Sequence, residues 1–105
     1  MRISENVKIA GGIAHKAPEI LKAIERGDRP GYKVWYGITT AWEQENLMYI
    51  ISSMEYRLPV YHDDSLRLLG LAGSRQEAGQ LVLEIVKNGY DKDVMRDMKH
   101  FLEEF

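Results

Sequence analysis

Between Arg57 and Gly89 the chain reads RLPVYHDDSLRLLGLAGSRQEAGQLVLEIVKNG, and this stretch constrains the fold more than any other. Arg57–His62 and Leu66–Ala72 have the composition of strands. Asp63, Asp64 and Ser65 between them supply turn chemistry, because short polar side chains bond back to the local backbone. Ser74 followed by Glu77 is the S-x-x-E pattern of a capped helix start. Behind it Ala78, Leu81, Val82, Ile85 and Val86 form an apolar helical stripe, and Gly89 suits the helix end. Strand, turn, strand and capped helix in succession predict a small α+β domain.

The remaining segments extend this reading. Ile3, Val7, Ala10, Ala14, Ala17 and Leu21 recur at three- and four-residue spacing, which predicts helix from Arg2 to Gly27. Gly11-Gly12 and Pro18 divide it in two. Pro18 fits the first turn of the second helix, where a missing N–H costs nothing, and Gly27 fits the position after its end. Tyr32 to Ile38 alternates, with Val34, Tyr36 and Ile38 on one face and Lys33, Trp35 and Gly37 on the other. LMYIISS predicts a strand over 47–53, although Thr40 and Glu43 would also open a helix over 41–54. Asp91 can cap a last helix running to the C-terminus. The expected order is α-α-β-β-β-β-α-α: a small antiparallel sheet of three or four strands, with helices over one face.

A chain of 105 residues makes a single domain, 1–105, and buries something over ~60% of the surface of its unfolded form. It contains no cysteine, which removes disulfides, thiolate metal sites and cysteine nucleophiles. No stretch approaches the ~20 apolar residues of a membrane span, and the expected location is cytoplasmic. The net charge of −2 argues against generic nucleic-acid binding. Charge is uneven, however. Residues 1–40 hold seven Lys/Arg against four Asp/Glu, and the remainder hold seven against twelve. Lys8, Lys16, Lys22 and Arg26, with Arg29 and Lys33, are the residues a nucleic-acid reading would use.

Few constellations carry chemistry. His62, Asp63 and Asp64 could ligate a divalent metal, but neighbours on a strand point to opposite faces and Asp residues make turns. Asp93, Asp97, His100 and Glu104 share one helical face that could hold a metal. Lys92, Arg96 and Lys99 flank that stripe, as on an ordinary solvated face. Gly11-Gly12 lacks both the dinucleotide and the P-loop spacing. No serine has a nucleophile-elbow context, and no pair of acid–base groups is evident. The expectation is therefore a non-enzyme without a cofactor.

Two surfaces read as too apolar for solvent. One is the sheet face around Trp35, left open if helices cover the other. The second is the C-terminal helix, with Met95, Met98, Phe101 and Phe105 on one side. These residues predict a protein–protein interaction or self-associating module. A small-molecule or metal-binding module is the alternative, and a nucleic-acid accessory protein the second.

Overall fold

The computed structural model describes residues 1–31, 34–43, 46–91 and 97–105. Its elements are β1 (Arg2–Ile9), α1 (Ala17–Glu25), β2 (Tyr36–Thr40), β3 (Met48–Ser52), β4 (Arg67–Ala72), α2 (Arg75–Asp91) and α3 (Met98–Glu103), with short 3-10 turns at Gly11–Ile13, Glu55–Arg57 and Pro59–His62. The fold is α+β, as the sequence predicts. The sheet is mixed rather than antiparallel, with strand order β1-β4-β2-β3. β1 runs parallel to β4, while β2 is antiparallel to both β4 and β3.

Residues 2–9 are strand, not helix. Ile3, Val7 and Ile9 all pack on the α1 side of the sheet, which is a two-residue period broken at Glu5. The four-residue step from Ile3 to Val7 fits either period, and the β-branched side chains favour the extended form. The ladder to β4 is irregular between Ile3 and Lys8. The helix begins only at Ala17, with Pro18 in its first turn, and ends before Gly27 at a φ of 75°. Only glycine adopts that conformation without strain.

Residues 57–62 form 3-10 turns instead of a strand. Ser52 and Glu55 explain this. The Ser52 amide donates to Glu55 Oε1 at 3.0 Å, and the Glu55 amide donates to Ser52 Oγ at 3.1 Å. This reciprocal box turns the chain directly after β3, and Pro59 then opens a second turn. Residues 48–52 are strand, so the competing helix over 41–54 does not form. Thr40 lies in β2, where its Oγ1 accepts from the Arg67 amide at 3.0 Å.

Helices cover both faces of the sheet. Ile13, Ala17, Ile20 and Ile24 pack with Trp35, Ile51, Tyr56, Leu68 and Leu71 on one side. Ala78, Leu81, Ile85, Met98, Leu102 and Phe105 pack with Ile38, Leu69 and Ala72 on the other. β4 is buried along LLGLA on both faces, which is why it reads as a continuous apolar run. Each fully buried Leu or Ile contributes about 1.5–3 kcal/mol.

α2 runs through Gly89, so that glycine does not end the helix. Gly89 instead admits α3: a Cβ there would lie 2.7 Å from Met98 Cε. Asp97 caps α3, accepting from the His100 amide at 3.2 Å. Among the described residues no helix is long and apolar enough to cross a membrane.

Candidate functional site

The interface residues expected from sequence are largely consumed by the core. Trp35 is 1% exposed, because α1 covers the face expected to be open. Its ring packs beside Tyr56 at 5.4 Å between centroids. Met98 and Phe105 are buried against the other face, and Phe101 is partly buried there. The C-terminal helix therefore packs on its own sheet. Met95 and Asp93 lie outside the described residues.

The expected metal ligands are engaged separately. His62 Nε2 donates to the Tyr56 carbonyl at 2.8 Å. Asp63 Oδ1 accepts from the Ser65 amide at 2.8 Å, and this bond holds its carboxyl below the usual carboxylate range. Asp64 faces the Met1 amine at 3.4 Å. His100 pairs with Glu104 at 3.1 Å, beside a groove of about 590 Å³ that Asp97 also borders. No group of three His, Asp or Glu side chains is placed to hold a metal among the described residues. Of the expected basic surface, Lys16 pairs with Glu19 and Arg26 with Asp28, while Lys8 sits apart on β1.

Two features remain that the sequence did not announce. The first is the outer edge of β3. Among the described residues this strand pairs only with β2, and its sequence MYIIS has no charge and no proline. Leu47 at one end is 42% exposed and Met54 beyond the other is 67% exposed. Trp42 lies over Tyr49 at 4.6 Å and near Tyr61 at 5.7 Å, and is itself 47% exposed. The opposite edge, β1, carries Arg2, Glu5 and Lys8 and an irregular register. Charges and bulges are the usual protection of a strand edge. β1 has both and β3 has neither.

The second feature is a cleft where the end of α1 meets the turn after β3. Gly27 turns the chain, and the Asp28 amide donates to the Ala23 carbonyl at 2.8 Å, which directs Arg29 and Pro30 over Trp35. From the other side, the Ser53 amide donates to the Trp35 carbonyl at 2.9 Å, and the Ser52–Glu55 box brings Arg57 back toward the same place. A cavity of about 370 Å³ is lined by Arg29, Pro30, Trp35, Met54 and Arg57 among others. A smaller one of about 170 Å³ shares both arginines and adds Tyr56 and His62. Among the described residues neither arginine has an ion-pair partner, and Arg57 makes only a weak contact to Met54 Sδ at 3.9 Å.

Tyr56 is 1% exposed and its hydroxyl has no hydrogen-bond partner among the described residues. Burial, with the charge of Asp28, pushes its pKa up. His62 stacks on its ring at 4.7 Å. Arg29 and Arg57 are far apart in sequence, so no spacing rule could have paired them; only the fold does.

The class these features define is an α+β domain with a mixed sheet between two helical layers. No family model, no curated protein and no solved structure matches the chain.

Proposed function

We propose that this domain is a non-enzymatic, self-associating interaction module, and that it pairs through the β3 edge with a second copy of itself. The observation that carries the reading is the asymmetry of the two sheet edges. An unprotected apolar edge offers unpaired backbone donors and acceptors to another strand, and an antiparallel partner can use all of them. A two-fold axis at Ile50 sets Met48 against Ser52 and Tyr49 against Ile51, so no like charges oppose within the strand. Leu47 and Trp42 flank this seam with apolar surface. The cytoplasmic location expected from the sequence is consistent with a cysteine-free chain of this kind.

Sedimentation or light scattering across a range of concentration tests the reading. The wild-type protein gives a dimer. Ile50→Lys, which places a charge on the edge strand at some cost to the core that Ile50 packs on, abolishes the dimer. Leu47→Lys, at a position already exposed, weakens the dimer without touching the core. A wild-type monomer at millimolar concentration, or a dimer indifferent to both substitutions, would remove the proposal.

A further inference from the structure

The cleft between α1 and the turn after β3 is separate in chemistry from the β3 edge. Two guanidinium groups that have no carboxylate partner among the described residues border both of its cavities. An arginine without a partner in a cleft presents forked donors to solvent, and a phosphate or carboxylate satisfies them bidentately. The local acids are bonded elsewhere, although the charge of Asp28 still reaches Tyr56. Asp28 is paired with Arg26 at 3.4 Å, and Glu55 accepts from the Ser52 amide. The buried Tyr56 hydroxyl is a further donor that has no hydrogen-bond partner among the described residues. The wall of the larger cavity is different: Trp35, Pro30 and Met54 make it apolar. Its volume of about 370 Å³ lies at the small end of the ~300–1,000 Å³ usual for ligand sites.

We infer that this cleft binds a small phosphate ester, with the phosphate held by Arg29 and Arg57 and the apolar part of the ligand against the exposed Met54, above the buried Trp35. Two fixed positive charges match a phosphate dianion better than a carboxylate, which one arginine satisfies. Tyr56 and His62 stand behind the phosphate position, in the smaller cavity. Binding involves no covalent step.

The test uses phenyl phosphate as the probe, on the intact 105-residue chain carrying Trp42→Phe so that Trp35 alone reports by fluorescence. Phenyl phosphate changes the Trp35 emission saturably. Arg29→Ala and Arg57→Ala, both at exposed positions, each weaken it by about ten-fold or more, the loss expected for a charge-assisted pair of bonds. Inorganic phosphate binds more weakly than phenyl phosphate, because it leaves the apolar wall uncovered, and benzoate binds more weakly for want of the second charge. Tyr56→Phe keeps the fold and loses affinity several-fold. The inference is overturned if phenyl phosphate shows no saturable effect at millimolar concentration, or if both arginine variants bind as well as the parent. Equal affinity for inorganic phosphate would overturn the role of Trp35 and Met54.

Discussion

Glu77 Oε2 accepts a hydrogen bond from the Gly12 amide at 2.9 Å, joining the first turn of α2 to the loop after β1. Its other oxygen accepts from the Gly73 amide at 2.9 Å, while the Glu77 amide donates to Ser74 Oγ at 3.1 Å. β1 and β4 are parallel neighbours, so the loops that follow them emerge at the same end of the sheet. One carboxylate thus serves both a helix start and a long-range tie. Glu77→Ala is expected to cost about 1–2 kcal/mol, the range of a lost cap. Gly12→Ala should cost a similar amount, because a Cβ there lies 2.6 Å from both Glu77 oxygens and displaces the carboxylate. Once Glu77 is gone, Gly12→Ala should do little. Urea denaturation of the two single variants and the double variant gives the coupling, and simple additivity would rule out the shared bond.

Gly79 and Gly89 lie in the same helix and should respond oppositely to alanine. Nothing lies within 4 Å of a Cβ built on Gly79, so Gly79→Ala gains helix propensity of about 0.8–1 kcal/mol. At Gly89 the same gain meets Met98 at 2.7 Å and Phe101 at 3.3 Å. Overpacking costs about 1–3 kcal/mol, so the net effect there is loss, concentrated in α3. Thermal melts of the two variants decide it: a stabilised Gly89→Ala protein would show that α3 does not pack this closely.

Alkaline stability should depend on Tyr56. Burial first, and the Asp28 charge second, raise its pKa above that of a free tyrosine. The unfolded chain therefore loses this proton at lower pH than the folded one. The resulting stability is complete below about pH 10 and is lost as pH rises through the folded-state value. Tyr61, raised mainly by its own burial, acts in the same direction. Tyr56→Phe should be at least as stable as the wild type at neutral pH, since the hydroxyl has no partner among the described residues to lose, and should unfold less steeply above about pH 10. Urea melts at a series of alkaline pH values measure this, and an unchanged slope would refute it.

The two tryptophans should separate cleanly by quenching. Trp35 is 1% exposed and Trp42 is 47% exposed. Iodide should quench the Trp42→Phe protein weakly and the Trp35→Phe protein strongly. Trp35→Ala is expected to cost about 3–5 kcal/mol, the usual result of emptying a buried indole site. Strong quenching of Trp35 would return it to an open surface.

Much of the scaffold was legible from short-range chemistry. Ser74 and Glu77 mark the start of α2, Pro18 and Gly27 bracket α1, and the LMYIISS and LRLLGLA segments each contain the strand they suggest. The failures have physical causes. At β1, the step from Ile3 to Val7 satisfies two periodicities, and only the distant partner β4 selects the extended one. At 57–62, the S-x-x-E pattern of Ser52 and Glu55 outweighs the strand-like composition and converts an apparent strand into turns. The unbroken apolar run of β4 indicates cover on both faces, and reading it so would have placed Trp35 inside. The cleft was not legible at all. Arg29, Tyr56 and Arg57 meet only because a glycine turn and a capping box redirect two remote segments to one point.

The ladder between β1 and β4 also sets a timetable. Arg2 pairs with Arg67 and Ile3 with Leu68, so β1 is synthesised well before its neighbour exists. The hairpin of β2 and β3 can close locally in the meantime, whereas the parallel pair must first overcome the entropy of a long loop. Assembly of this domain is therefore gated by the arrival of β4, and until then Ile3, Val7 and Ile9 have only α1, and no neighbouring strand, to settle against.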